Sequence, residues 1–188
     1  DSSILKDCSL FVFPGGFSYG DELGSGKALS TELLAIKDEI TSLVDKKIPM
    51  IGICNGFQVL CESGLLPGAL LHNTSRQFIC DNVFITPNNT ENLLCSNLDV
   101  NQAIKIPIAH GEGRFFASDE TIKELNDNDQ ILFRYSDEKG SVSTHFNPNG
   151  SLENIAGVTN KNRNVFGMMP HPERASDEEL GNIDGRYF

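Results

Sequence analysis

Residues 52–56, Gly-Ile-Cys-Asn-Gly, constrain the fold of this chain more than any other segment. They directly follow the apolar run 48–51, which is typical of a buried strand. The two glycines allow the backbone to reverse without a Cβ clash and present Cys54 clear of the sheet. Residues 57–64 then have helical apolar spacing and end on a glycine suited to a C-terminal cap. The pattern predicts a strand, a sharp turn at a thiol, and a helix whose positive N-terminus favours the reactive thiolate.

Length and charge limit the class of protein. The chain of 188 residues is long enough for one domain with a substantial core. Its net charge of −11 argues against nucleic acid or an anionic membrane as a partner, because both require a basic surface. No apolar run approaches the ~20 residues of a membrane span, and the start does not resemble a signal peptide. Five cysteines, an odd number without Cys-x-x-Cys pairs, favour a reduced, cytoplasmic protein.

The order of predicted elements indicates an α/β fold. A short strand at 10–13 ends in Pro14-Gly15-Gly16, and residues 29–44 have the apolar spacing of an amphipathic helix. This order predicts an open, mostly parallel sheet with helices on both faces. The second half has shorter apolar segments that predict a smaller antiparallel excursion. These segments are 78–85, 104–108, 131–135, 155–158 and 165–169, with a small helix at 119–125. No linker divides the chain, so residues 1–188 are interpreted as a single domain.

A cysteine nucleophile needs a base, and the base needs a group that orients it. His171 follows the apolar segment 165–169, and Glu173 stands two residues later. In extended backbone these two side chains point the same way, so the carboxylate is expected to fix the imidazole tautomer. His110, in a glycine-flanked turn, is the rival base. Alone, a cysteine before a helix is usually packing and a His-Pro-Glu loop is usually solvated, so only their combination favours catalysis.

Acyl transfer also requires donors for the developing oxyanion. The turn supplies the N–H of Asn55, and the glycines after the first strand are expected to supply a second. Ligands of open α/β sheets bind at the carboxyl ends of strands, where these parts converge. A Pro-Gly-Gly turn alone is mostly a turn, and Gln58 on the following helix is by default a surface residue.

Longer strings of residues carry a family resemblance. The order of the Pro-Gly-Gly loop, the Gly-x-Cys-x-Gly-x-Gln turn and the late His-x-Glu resembles the class I (triad) glutamine amidotransferases. Within that class the chain is similar to the glutaminase components of phosphoribosylformylglycinamidine synthase, an enzyme of purine biosynthesis. The resemblance runs from residue 10 to residue 188. The segments that carry it are 14–21, 52–58, 64–70, 107–114 and 169–174.

The resemblance implies catalytic roles. Cys54 is the nucleophile that attacks the side-chain amide of glutamine, and His171 is its general base and then general acid. Glu173 orients His171. The N–H groups of Gly16 and Asn55 are implied to form the oxyanion hole. The implied products are ammonia and, after hydrolysis of a glutamyl thioester, glutamate.

The resemblance also implies a substrate site and partners. Gln58, Gly15, His110 and Gly111 match positions at the glutamine site of the family. The chain itself is expected to hold no metal or cofactor. ATP and magnesium belong to a synthetase subunit that receives the ammonia and aminates formylglycinamide ribonucleotide, often with a third small subunit present.

One departure from the family leaves alternatives open. Relatives begin with a further strand, loop and helix and continue with a terminal helix, and both units are expected to be missing from residues 1–188. A truncated, catalytically weak binding or regulatory subunit is therefore one alternative. Another is the glutaminase of a different synthetase, such as a guanylate or carbamoyl-phosphate enzyme. A thiol peptidase is a more distant one.

Overall fold

The computed structural model describes residue 5 and residues 7–100 and 102–188. Nine strands and four α-helices lie within these residues. In chain order they are β1 (Phe11–Phe13), α1 (Lys27–Leu33), α2 (Lys37–Asp45), β2 (Met50–Ile53), α3 (Asn55–Glu62), β3 (Ala69–Leu71), β4 (Ile79–Pro87), β5 (Ile104–His110), β6 (Arg114–Phe116), α4 (Asp119–Asp127), β7 (Ile131–Ser136), β8 (Ile155–Thr159) and β9 (Val165–Met168). No helix of the described part is long and apolar enough to cross a membrane.

Seven of the strands form one sheet in the order β1-β2-β9-β8-β7-β4-β5, and β3 pairs with β6 in a separate two-stranded sheet. The β1–β2 and β2–β9 pairs are parallel, and every pair from β9 to β5 is antiparallel. The predicted α/β class is confirmed. The antiparallel excursion is larger than expected because β4, β5, β7 and β8 join the parallel strands in one sheet instead of standing apart.

The topology brings four chain segments to one edge of the sheet. Because two successive antiparallel pairings restore the original direction, β1, β2, β9 and β5 all run the same way. The residues that follow their carboxyl ends therefore meet at the same edge. These are the Pro-Gly-Gly loop, the cysteine turn, the loop of His171 and the turn that begins at His110.

Two apolar clusters hold the sheet between them. Along β8, Ile155 and Val158 join the first cluster and Ala156 joins the second. This spacing departs from the strict alternation of a regular strand, and the pairing of β8 with β7 is correspondingly irregular, with two register shifts. The α-helices α2, α3 and α4 contribute to the first cluster. The second face is covered by residues 94–98 and by short 3-10 helices near the end of the described chain, which contribute Ala175 and Phe188.

The predicted helix at 29–44 is interrupted. α1 ends at Leu33, a 3-10 turn occupies Leu34–Ile36, and α2 begins at Lys37. Ile36 has φ −124° and ψ 28°, which is not helical, although its neighbours are ordinary helix formers. The three-residue strands β3 and β6 were not predicted, because three residues are too few to show an alternating pattern.

The contact between α3 and β1 requires a glycine at position 56. A methyl group there would lie 1.9 Å from the carbonyl oxygen of Phe13. We therefore expect Gly56→Ala to lower the free energy of unfolding by about 3 kcal/mol, measured by chemical denaturation. Gly111→Ala is the matched control, because its methyl would meet only Phe78, at 3.9 Å. Equal stability of the two variants would contradict this packing.

Candidate active site

Cys54 stands at the turn between β2 and α3 in a strained backbone conformation, with φ 52° and ψ −106°. A positive φ at a residue other than glycine costs on the order of 1–3 kcal/mol and persists only where the surroundings impose it. Here the N–H of Cys54 donates to the carbonyl of Met168 at 2.8 Å, which ties the turn to β9. A methyl group at Gly52 would lie 2.7 Å from the backbone of Gly56, so the turn closes too tightly for a side chain. The structure thus has the predicted strand, turn and helix.

The thiol of Cys54 is buried and lies 3.5 Å from the carbonyl oxygen of Ala109. Burial raises the pKa of this thiol to about 11, and the backbone N–H of Asn55 and the charge of Arg174 lower it without outweighing burial. The helix N-terminus therefore does favour the thiolate, as expected, through the N–H of Asn55, but burial outweighs this effect. A thiol that is protonated at neutral pH requires a base that accepts its proton when it attacks.

His171 is oriented to accept a proton. It lies in the loop after β9 with only 1% of its surface exposed, and its Nδ1 is 2.6 Å from Oε1 of Glu173. A carboxylate only accepts hydrogen bonds, so Nδ1 carries a proton, and in the neutral ring the lone pair is on Nε2. Nε2 is buried and has no hydrogen-bond partner among the described residues. Burial alone would raise the pKa of Glu173, but the hydrogen bond and charge of His171 hold it below its ordinary value.

Gly15 marks the place where the loop after β1 meets both side chains. A methyl group at this position would lie 2.7 Å from Cε1 of His171 and 3.5 Å from Cβ of Cys54. The imidazole and the cysteine are therefore neighbours across this glycine. The next residue, Gly16, has φ 138°, a conformation that side chains disfavour, although its Cβ would meet nothing within 4 Å. That the Gly16 N–H binds an oxyanion stays a prediction.

The side chain of Asn55 connects the loop after β1 to the cysteine turn. Its Oδ1 accepts from the backbone N–H of Ser18 at 3.2 Å, and its Nδ2 donates to Asp21 at 3.2 Å and to Gln58 at 3.0 Å. Sequence reasoning assigned a role only to the backbone N–H of Asn55 and none to Asp21. The signal was available, since Asp21 ends one of the segments that carry the family resemblance.

Gln58 is buried, contrary to the default interpretation of a surface residue. Its Nε2 donates to the carbonyl oxygen of Glu112 at 2.6 Å, and a carboxylate oxygen of Glu112 accepts from the N–H of Ser25 at 3.3 Å. Gln58 therefore joins α3 to the turn that follows β5. Whether Gln58 and Gly111 contact a substrate stays a prediction.

His110 has a different environment from His171. Its ring is 2% exposed and lies between two buried asparagines, with Nδ1 3.1 Å from Oδ1 of Asn73 and Nε2 3.5 Å from Nδ2 of Asn149. Burial, with a smaller contribution from the nearby His171, lowers the pKa of His110 to about 4. Both ring nitrogens have partners, which disfavours the rival-base interpretation. The asparagines were missed because Asn73 stands in no motif and Asn149 lies in a segment, 147–150, typical of a turn.

The described residues contain no group of three or more His, Cys, Asp or Glu side chains placed to hold a metal ion. The site consists of a strained, buried thiol and an imidazole oriented by a carboxylate, at the carboxyl ends of the parallel strands of a mixed sheet. This fold and this arrangement define the class of glutamine amidotransferase domains. The sequence profile of the CobB/CobQ-like glutamine amidotransferase domain matches residues 1–184.

Comparison with individual relatives shows to which family of glutamine amidotransferase domains the chain belongs. The chain is 48% identical over 185 residues to the phosphoribosylformylglycinamidine synthase subunit PurQ of Chlorobium luteolum, covering 98% of this chain and 79% of the relative. It is 51% identical over 183 residues to PurQ of Synechocystis, covering 96% of this chain and 80% of the relative. The solved structure of PurLQS from Thermotoga maritima contains a chain that is 41% identical, with a TM-score of 0.82 over 96% of this chain and 76% of that one. The chain belongs to the PurQ family of glutamine amidotransferase domains.

The raised pKa of Cys54 predicts how its reactivity depends on pH. Without glutamine, we expect alkylation of Cys54 by iodoacetamide to accelerate as pH rises from 7 toward about 11, because the thiolate fraction grows throughout this range. Mass spectrometry of the peptide that contains residue 54 measures the rate and separates it from the exposed Cys80. A rate that is already constant between pH 6 and about 8 would instead indicate a thiolate–imidazolium pair at rest.

Proposed function

We propose that this chain hydrolyses glutamine to glutamate and ammonia through a thioester on Cys54, and that it supplies the ammonia to a synthetase subunit in purine biosynthesis. The observation that carries the proposal is the buried, unpartnered Nε2 of His171 beside the strained cysteine, with Nδ1 held by Glu173. An unpartnered buried polar atom is unfavourable in a native structure unless it has a task. Accepting the proton of a neighbouring thiol is such a task.

In the first step, the sulfur of Cys54 bonds to the side-chain amide carbon of glutamine while its proton passes to Nε2 of His171. The carbonyl oxygen becomes an oxyanion that accepts hydrogen bonds from the N–H groups of Gly16 and Asn55. His171 then returns the proton to the amide nitrogen, the carbon–nitrogen bond breaks, and ammonia leaves. The product of this half of the reaction is a glutamyl thioester.

In the second step, water attacks the thioester and His171 again accepts a proton at Nε2. The carbon–sulfur bond breaks, the sulfur regains its proton, and glutamate is released. The net reaction consumes one water and one glutamine and yields one ammonia and one glutamate. Glu173 holds the imidazole in the required tautomer and stabilises the imidazolium that forms in each step.

The acceptor of the ammonia follows from the relatives. PurQ proteins are subunits of phosphoribosylformylglycinamidine synthase, and the Thermotoga maritima structure is of a complex, PurLQS. We propose the same assembly here: a synthetase subunit that uses ATP and magnesium to aminate formylglycinamide ribonucleotide, together with a third small subunit. The hydrolysis itself requires only side chains and water, so this chain carries no cofactor in the proposal. A cytoplasmic location is proposed on the same basis.

The decisive test removes the sulfur. We expect Cys54→Ser, assayed with the synthetase subunit present, to release ammonia from glutamine at least about 10³-fold more slowly than wild type. Cys80→Ser is the matched control, because Cys80 is exposed and, although its strand pairs with that of Ala109, its side chain has no part in the proposed reaction, so the variant should retain wild-type activity. Full activity of Cys54→Ser would overturn the proposal. Inactivity of wild type with its partner would favour the alternative of a binding or regulatory subunit.

Alanine substitutions of the two buried histidines, His171 and His110, are predicted to have different effects on thioester formation. We expect His171→Ala to lower the rate of thioester formation at least about 10²-fold, because it removes the proton acceptor. His110→Ala should keep measurable thioester formation, because its Nε2 faces an amide donor and is not available to the thiol. Rapid quenching with labelled glutamine measures both rates. The reverse order of the two rates would exchange the roles assigned to these histidines.

A further inference from the structure

Two buried asparagines enclose the ring of His110 and have no part in the reaction as proposed. Asn73 is 1% exposed and Asn149 is not exposed at all. They come from segments far apart in sequence, before β4 and before β8. An amide that is fully removed from water is retained only where its hydrogen bonds are satisfied. The partners of these two amides therefore define what the amides hold in place.

The orientation of Asn73 is fixed by its neighbours. Its Nδ2 lies 2.8 Å from the carbonyl oxygen of Gln77 and 2.9 Å from that of His110, and both oxygens only accept. Its Oδ1 accepts from the backbone N–H of Gly113 at 3.2 Å. A flipped amide would place donor against donor and acceptor against acceptor. Nδ1 of His110, 3.1 Å from Oδ1, must therefore donate to it.

The orientation of Asn149 is fixed in the same way. Its Oδ1 accepts from the backbone N–H of Ser151 at 3.0 Å, so Nδ2 occupies the other position. Nδ2 donates to the carbonyl oxygen of Gly113 at 2.9 Å and faces Nε2 of His110 at 3.5 Å and the hydroxyl of Tyr135 at 3.3 Å. A proton on Nε2 of His110 would point at an N–H donor. Nε2 is therefore unprotonated.

Together the two asparagines select one state of His110, the neutral ring with its proton on Nδ1. The imidazolium and the Nε2–H tautomer each place two donors face to face. The low pKa that burial gives this ring agrees with a neutral state. Gly113 packs against the ring so closely that a methyl group would lie 2.4 Å from Nδ1 and Cε1, so the ring also has one fixed position.

The turn that this arrangement fixes lies beside the reacting groups. The carbonyl of Ala109 faces the Cys54 thiol, and the carbonyl of Glu112 accepts from Gln58. We propose that Asn73 and Asn149 are positioning residues for glutamine binding, which fix His110 in its neutral Nδ1–H tautomer and thereby hold the turn 110–113 in the geometry that binds the substrate. This inference rests on the proposed function, since the turn needs a substrate to position.

Nuclear magnetic resonance tests the tautomer directly in the wild-type chain. Two-bond 1H–15N correlations of 15N-histidine-labelled protein distinguish the Nδ1–H ring, the Nε2–H ring and the imidazolium. The signals are assigned with His72→Gln, His145→Gln and His171→Gln variants, which leave His110 in place. We expect a neutral Nδ1–H ring at pH 7. An Nε2–H ring or an imidazolium at residue 110 would overturn the inference whether or not any variant folds.

Asn149→Asp tests the consequence for the substrate. The change replaces the donor that faces Nε2 with an acceptor, so His110 should become an imidazolium. With the synthetase subunit present, we expect KM for glutamine to rise at least ten-fold. Alkylation of Cys54 by iodoacetamide, which reports whether the thiol is accessible but does not require the turn 110–113 to bind glutamine, should change less than two-fold. Asn147→Asp is the matched control: it lies in the same loop, holds Ser151 and Asn154 instead of His110, and should leave KM unchanged.

The outcomes separate this inference from the proposed function. An equal rise of KM in both variants, or no rise in Asn149→Asp, would overturn the positioning role. If Asn149→Asp does not fold, Asn149→Ala, which removes the donor facing Nε2 without supplying another, takes its place with the same expected rise in KM. Failure of the wild-type complex to hydrolyse glutamine would overturn the proposed function, while the tautomer of His110 would still show whether the asparagines fix the ring.

Discussion

The backbone turn at Cys54 is the constraint on which the rest of the site depends. A left-handed conformation at a non-glycine residue is unfavourable, so the fold must hold it by other contacts. Here those contacts are the hydrogen bond from Cys54 to β9 and the close approach of α3 to β1, which leaves no room for a side chain at Gly56. These contacts come from β1 and β9. The Pro-Gly-Gly loop follows the carboxyl end of β1, and the loop of His171 follows that of β9. The same packing therefore imposes the strain and assembles the site.

Burial has the largest effect on the pKa of the Cys54 thiol. Removing a thiol from water disfavours the thiolate by a raised pKa, and neither the amide of Asn55 nor Arg174 compensates fully. The raised pKa favours the neutral thiol, which lies against the carbonyl oxygen of Ala109. The imidazole of His171 is held with its lone pair on Nε2, and Glu173 is the only acidic side chain to which its ring is hydrogen bonded among the described residues. In the proposed mechanism, the proton therefore moves from Cys54 to His171 only when a substrate is bound and an oxyanion develops.

The sequence was sufficient for the parts of the fold that local patterns encode. The cysteine turn, the strand before it and the helix after it follow from glycine positions and apolar spacing, and the α/β class follows from the order of these elements. The extent of antiparallel pairing was not predictable, because the short segments of the second half carry no signal of which neighbour they pair with. The break at Ile36 was missed for a similar reason, since its residues favour a helix.

The residues of the candidate site likewise divide into those that the sequence indicated and those that it did not. Cys54, His171 and Glu173 could be chosen from residue types and spacing, and the structure brings the cysteine and histidine together at Gly15. Asn73 and Asn149 could not be chosen, because an asparagine in a loop is by default a turn residue. Their roles arise from long-range hydrogen bonds that only the folded chain brings together. At Cys54, sequence reasoning counted the helix dipole, which does lower the pKa of the thiol, but it could not count burial, which raises that pKa more.

The central claim is that an acyl group passes through the sulfur of Cys54. Mass spectrometry of the complex, acid-quenched while it turns over isotopically labelled glutamine, tests this most directly. The account predicts a hydroxylamine-sensitive glutamyl group on the peptide that contains residue 54. A labelled glutamyl group on a different residue, or steady ammonia release with no covalent adduct at any time point, would contradict it.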